Sequence, residues 1–397
     1  MTGKSTALPK FPAIASDVRP GKCEFDATRR GSGLLAAALA LPGLAATSPA
    51  AAEAPPTSAE LAFHFAHYQD FQGNAQRIRV NTPSVFVLLP VGEQWALRAG
   101  HVTDSVSGAS PLFHDTLSGA SGKGVADVRR AQDLEATRYF DRGSLAFGYA
   151  RSREDDYDSD AVRLRGTIED ATRTTTWTLG LGYGDDTIDT STSNQVALDE
   201  GRRTTDVQFG VTRVLGPVDL LSANLVLSRG SGYYDDPYKS LDARPDEREQ
   251  HALVLKWNHH FRGRDATLRT YYRWFGDSWD IDAHTLEAEF EQFFGAGWSV
   301  TPALRYYTQS AAGFYFDPPF PSGFRFGENY SADTRLSAFG AFTASVMLSA
   351  PLGYGWSGNL RFIYYRQESG WRAFGDGSPD IAPLAARSYE LGLRRVF

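Results

Sequence analysis

The stretch Leu220-Leu221-Ser222-Ala223-Asn224-Leu225-Val226-Leu227-Ser228 decides the fold. Leu221, Ala223, Leu225 and Leu227 share one parity; Leu220, Ser222, Asn224, Val226 and Ser228 share the other. A strand sends successive side chains to opposite faces, whereas an amphipathic helix needs spacings of three and four. The period here is two. The same alternation sets Val207, Phe209 and Val211 against Asp206, Gln208, Gly210 and Thr212. It sets Val162, Leu164 and Ile168 against Arg163, Arg165 and Thr167, and Trp177, Leu179, Leu181 and Tyr183 against Thr176, Thr178, Gly180 and Gly182.

Working outward, the pattern predicts strands near 60–71, 77–90, 94–106, 127–140, 143–155, 158–170, 173–186 and 202–215. Eight more fall near 218–231, 247–261, 265–278, 281–294, 297–310, 331–350, 355–369 and 386–397, which makes sixteen. The connections sort by parity. Tight ones follow even-numbered strands: 141–143, 215–217, 262–264, 295–297 and 351–353. Long ones, near 107–126, 187–201, 232–246, 311–330 and 370–385, follow odd-numbered strands. An even strand count with short turns at one end and long loops at the other is the pattern of a transmembrane antiparallel up-and-down β-barrel. Both termini are then expected on the periplasmic side. A soluble sandwich has no reason to segregate its loops, and the polar faces are too charged for a second core. Closure in lipid satisfies the backbone and removes sheet edges.

Composition agrees once the strands are recognised. The chain has 397 residues, 42% hydrophobic and 13% aromatic, with 38 Gly, 25 Phe, 18 Tyr and 8 Trp. A membrane helix needs about 20 apolar residues, and the longest apolar run, 33–46, is about 14. Transmembrane helices are therefore excluded. The mean hydropathy of −0.34 is what an apolar lipid-facing set gives when diluted by a polar lumen and loops. A pI near 5.7 leaves no basic footprint for nucleic acid. Trp95, Tyr139-Phe140, Tyr183, Tyr233-Tyr234, Trp274, Trp298, Tyr306-Tyr307, Trp356 and Tyr364-Tyr365 are expected at strand ends as interfacial girdles.

Residues 1–52 read as an export signal. Arg29-Arg30 precede the apolar block Leu34 to Leu41, Pro42-Gly43 break it, and Ala50-Ala51-Ala52 supply small residues for cleavage. The stretch ahead of the apolar block exceeds an ordinary n-region, which leaves the translational start open. Cleavage after Ala52 removes six of 40 basic and three of 47 acidic residues, leaving net charge −10. It also removes Cys23, the one cysteine, so disulfides, thiolate metal sites and a Cys nucleophile are excluded from the mature chain. Residues 53–59 form a short linker, and 60–397 form the barrel.

At the C-terminus, Gly392 and the final Phe397 resemble the terminal signal by which barrel-assembly machinery recognises outer-membrane barrels, with Arg395 departing from the usual apolar residue. The blocks 151–159, Trp257-Asn258-His259-His260-Phe261, 277–285, 306–312 and 331–340 resemble one Gram-negative outer-membrane family, classed only as a domain of unknown function. The resemblance runs from about residue 60 to 397 and implies a barrel in the outer membrane. It brings no activity to carry over.

If the apolar faces meet lipid, the opposite faces line a lumen. There the expected strand 265–278 places Arg269, Tyr271, Arg273 and Asp277; 281–294 places Glu287, Glu289 and Glu291; 297–310 places Arg305, Tyr307 and Gln309. Three acids between two arginine-bearing strands make a cross-strand charge ladder. Such a ladder either stiffens the interior or selects solutes, and the two roles are compatible. Arg163, Arg165, Lys256, Asn258, Arg361 and Gln367 add lumenal polarity.

Three constellations bear on chemistry. Asp155, Asp156, Asp158 and Asp160 form an outer-loop acidic cluster spaced like half a calcium loop, but no Gly and distant Glu complete it; a solvated turn is the better account. His259 and His260 are adjacent, so they face opposite sides and cannot share a metal. His284 falls on the lipid-facing set. A Ser–His or Asp–His hydrolase pair across strands would have His251 and His260 available, yet nothing marks a nucleophile. No catalytic residue, metal site or cofactor is assigned. The sequence predicts an outer-membrane channel or uptake route for small polar or charged solutes, with outer-membrane lipid and the assembly machinery as partners. The alternatives are a barrel that anchors or sheathes a periplasmic or redox partner protein, and an outer-membrane hydrolase.

Overall fold

The computed structural model describes residues 54–73, 75–108, 125–191, 195–239, 241–317, 327–379 and 381–397. The expected signal at 1–52 lies outside them. The strands are β1 (Glu60–Gln72), β2 (Ala75–Val91), β3 (Trp95–Gly108), β4 (Val125–Phe140), β5 (Gly143–Arg153) and β6 (Tyr157–Glu169). Then come β7 (Thr175–Ile188), β8 (Glu200–Gly216), β9 (Asp219–Gly232), β10 (Asp242–Ala243), β11 (Glu247–Phe261) and β12 (Ala266–Asp277). The last are β13 (Asp282–Phe293), β14 (Ser299–Gln309), β15 (Tyr330–Ser331), β16 (Phe339–Gly353), β17 (Trp356–Glu368) and β18 (Leu384–Val396). All but β10 and β15 join one closed antiparallel barrel, sixteen strands in sequence order, with β18 returning to β1. β10 and β15 pair with each other outside the barrel wall.

The barrel is inside out relative to a soluble core. On β9, Leu221, Leu225 and Leu227 are 42%, 37% and 43% exposed, whereas Ser222 and Asn224 are 3% and 7% exposed. The parity read from the sequence is therefore the division between an apolar outer wall and a polar lumen. Closure supplies every wall strand with two ladder partners, the condition for backbone in lipid.

The tight connections, at 92–94, 141–142, 170–174, 217–218, 262–265, 294–298 and 354–355, all lie at one end. At the other end are three short turns and the strand ends that the longer connections join, β3 to β4, β7 to β8, β9 to β11, β14 to β16 and β17 to β18. One strand boundary differs appreciably from expectation. The run 331–350 is divided, because Asp333 caps a short 3-10 turn by accepting from the Arg335 amide at 3.0 Å, and the wall strand starts at Phe339.

Candidate functional site

The lumen is charged on two facing walls. Register places Glu289 opposite Arg269 and Glu287 opposite Arg305. Arg269 holds Glu289 at 2.6 Å and also grips Glu291, while Glu287 takes the Arg305 guanidinium. Arg361 of β17 approaches Glu289 to 3.7 Å. An open recess lined by Glu287, Arg305, Thr343, Ser345 and Arg361 sits in this wall. Register thus brings Arg269, Arg305, Glu287, Glu289 and Glu291 together but leaves Arg273 apart. Arg273 is opposite Thr285, outside the carboxylate row, and its guanidinium lies 4.9 Å over the Phe275 ring.

A second cluster lies about half a circumference away, on β3, β4 and β6. Glu135 is approached by Arg163 at 3.2 Å, Arg98 at 3.5 Å and Arg165 at 3.8 Å. Asp133 shares the face of β4, so three cations meet two anions here. Alternation puts Arg163 and Arg165 on the lumen face but does not single out Arg98 and Glu135. Both sit on the polar parity of their strands; what was missing was the register that makes Arg98 and Glu135 direct neighbours.

The lumen is narrowed at its long-loop end. Lumen-facing Ala252, Phe275 and Ala283 pack with Trp279, Ile281, Ala312 and Leu336, so these loop residues fold inward. A second apolar group joins Phe339, Ala341, Tyr365 and Ala386 to Ile381 of segment 369–383. Tyr307 touches both groups. Trp279 is held edge-on by Tyr234 and Phe314, each at 5.3 Å, and Arg248 stacks over it at 4.1 Å. Aromatic pairs of this geometry contribute about 0.5–1.5 kcal/mol each beyond their burial.

Above this packing the long segments are tied by an ionic knot. Asp333, fully buried, accepts from Arg244 at 2.8 Å and lies 2.6 Å from Lys239. It also accepts from the Arg335 Nε at 2.6 Å, and Arg335 reaches on to Asp236 at 2.7 Å. Asp242 of β10 takes Arg244 at 2.8 Å. Three carboxylates and three cations balance. Burial alone pushes the Asp333 carboxyl up, but Arg335, Lys239 and Arg244 hold it well below the usual carboxylate range. Burial, with Arg335 beside it, lowers the Lys239 amine.

The other sequence candidates do not converge. Asp156 is buried and accepts from the Tyr238 hydroxyl, while Asp158 and Asp160 face outward towards Arg153 at 3.5 Å and Arg151 at 3.8 Å. The turn before β6 buries Asp156 while Asp158 and Asp160 share the outer face with arginine partners, and among the described residues no group of three His, Cys, Asp or Glu is placed to hold a metal. His259 faces outward to Asp219 at 2.8 Å, and His260 reaches Thr267 at 3.1 Å. His284 lies on the outer wall beside Tyr272 and Asp282. The girdle expectation holds for Trp95, Phe140 and Trp298, all exposed on the outer wall. It fails for Tyr139 and Tyr365, whose parity turns them into the lumen, and Tyr307 takes the lumen face that alternation along 297–310 gives it. Gly392 sits directly opposite Asn359, and the Phe397 amide donates to the Ala59 carbonyl at 3.0 Å, closing the barrel seam.

A family model described as "Protein of unknown function (DUF3570)" matches residues 31–387. No curated protein sequence matches. Among solved structures, a bacterial polysaccharide outer membrane secretin aligns with TM-score 0.51 and 8% identity, over 85% of this chain and 98% of that one. OccK2 (OpdF) of Pseudomonas aeruginosa, solved in complex with glucuronate, aligns with TM-score 0.45 and 10% identity, over 86% and 98%. At such identities the likeness is one of fold, that of an outer-membrane β-barrel.

Proposed function

This chain belongs to the protein family of unknown function DUF3570, and from that premise we propose that it is an outer-membrane channel for small polar or charged solutes. The observation that carries the reading is the lumen itself. Below the apolar packing at its mouth, the wall mixes polar with apolar side chains and bears charge clusters on two facing sides, where solute passing through must meet them. Charges lining a pore select what enters it. The ladder on β12 to β14 is balanced, whereas Arg98, Arg163 and Arg165 outnumber Glu135 and Asp133, so the lumen favours anions at that level. In this reading the protein is exported by its N-terminal signal, is folded by the barrel-assembly machinery through Gly392 and Phe397, and keeps both termini on the periplasmic side. Purified protein in planar bilayers should give discrete conductance steps and an anion-favouring reversal potential under a salt gradient. Silence at high salt would overturn the open pore.

One observation favours a second reading, in which the barrel anchors or sheathes a periplasmic or redox partner. Residues 278–281, Ala312, Leu336 and Ile381 pack against the lumen wall at the mouth. A barrel shut there would serve as a holder rather than a passage, and would co-purify stoichiometrically with another protein.

A further inference from the structure

The outer wall carries an arc of arginines at the long-loop end. On β1, Gln69 lies directly opposite Arg387 of β18 on one side and Arg79 of β2 on the other. Arg366 of β17 is opposite Ala385, diagonal to Arg387. Beyond β3, Arg130 of β4 is directly opposite Arg153 of β5. All five side chains are exposed. On the same outward parity, towards the tight turns, these strands present Leu360, Leu391, Phe63, Leu89, Leu134 and Phe147. The arginines therefore stand where the apolar belt ends.

Acidic compensation is thin in this arc. Arg153 has Asp158 at 3.5 Å and Arg366 has Glu368. Among the described residues, Arg79, Arg130 and Arg387 have no carboxylate within salt-bridge reach. The opposite rim differs: Arg229 has Glu247 at 3.2 Å and Glu249 at 3.7 Å, and Arg203 has Asp185 at 3.5 Å. Like charges directly opposed on a ladder are destabilising, and Arg130 facing Arg153 is such a pair. Neither arginine closes the barrel or fills the lumen. An anion placed between them turns the repulsion into attraction. A lipid supplies that anion at this height, because its acyl chains cover the belt below.

We propose that this arc binds the phosphate of anionic lipid headgroups, fixing one side of the barrel against phosphate-bearing lipid. The inference rests on the membrane placement proposed above and is independent of whether the pore conducts. Each arginine beside an anionic membrane surface contributes about 1 kcal/mol, or about fivefold in binding.

The test uses the full chain reconstituted into phosphatidylcholine membranes with and without phosphatidylglycerol, followed by native mass spectrometry of the lipid retained. The combined variant Arg79→Gln, Arg130→Gln, Arg387→Gln should lose preferential retention of phosphatidylglycerol by at least about tenfold. Arg229→Gln on the compensated rim should retain it. Equal loss in both variants, or no loss in either, overturns the proposal. So does complete displacement of the lipid by millimolar inorganic phosphate, which would make the arc a phosphate site. A barrel silent in bilayers that still retains phosphatidylglycerol through these arginines counts against the channel alone.

Discussion

Arg244 donates to the Asp333 carboxylate at 2.8 Å across 89 positions of sequence, and so ties segment 233–246 to segment 310–338. No wall ladder depends on this bond. Removing one member of a buried ion cluster leaves the others uncompensated and costs about 3–5 kcal/mol. Asp333→Asn should therefore release the segments without opening the barrel. Trypsin should cut after Lys239, Arg244 or Arg335 in the variant and spare them in the parent, while both keep the same β-sheet circular dichroism. Conductance should rise if the docked segments narrow the passage.

The same carboxylate fixes the acid limit of the knot. Its folded pKa lies well below the ordinary value, because Arg335, Lys239 and Arg244 outweigh the upward push of burial. A depressed carboxylate contributes fully above the unfolded value of about pH 3.9 and is lost only as pH falls through the folded one. Pepsin, which works in acid, should leave 233–246 and 327–338 intact at about pH 4 and cut them only well below it. Release near neutral pH would contradict the assignment.

Selectivity should respond with opposite signs on the two lumen walls. Arg163→Gln leaves Glu135 with Arg98 and Arg165 and reduces the local excess of positive charge. Glu289→Gln leaves Arg269 to Glu291 and Arg361 without its carboxylate. A unit charge about 4 Å from a passing ion in water is worth about 1 kcal/mol, so each change should shift the anion-to-cation permeability ratio by up to about fivefold. The Arg163 variant should shift towards cations and the Glu289 variant towards anions. Shifts of the same sign would show that the walls do not act on the permeating ion.

These residues also mark what the sequence discloses. Alternation along one strand is local information, so Glu287, Glu289 and Glu291 could be put on the lumen face without any partner strand. Which arginine each meets depends on register, and the Arg98–Glu135 pairing depends on it entirely. The ionic knot is further from view. Asp236 and Arg335 are separated by 99 positions and sit in segments with no period at all, so only the closed barrel brings them together. Tyr139 and Tyr365 show the converse error. Strand-end aromatics suggest a girdle, but one step of parity sends the ring to water or to lipid, and that step has to be counted residue by residue.

Two glycines separate packing from assembly. A Cβ on Gly340 of β16 would lie 2.0 Å from the Trp371 carbonyl oxygen, a backbone atom fixed in segment 369–383. A Cβ on Gly392 would meet the Asn359 side-chain amide at 2.5 Å, which a rotation of that side chain relieves. Gly340→Ala should therefore push segment 369–383 off the wall at a cost of about 1–3 kcal/mol, whereas Gly392→Ala should cost less. Heat-modified mobility on gels reads the first as earlier unfolding of the purified barrel. Assembly in cells reads the second. If Gly392→Ala folds normally when purified yet accumulates unassembled in the periplasm, Gly392 is part of the terminal signal. If it assembles at the parental rate while removal of Phe397 stalls assembly, the signal resides in the final aromatic ring and Gly392 serves only the close approach to Asn359.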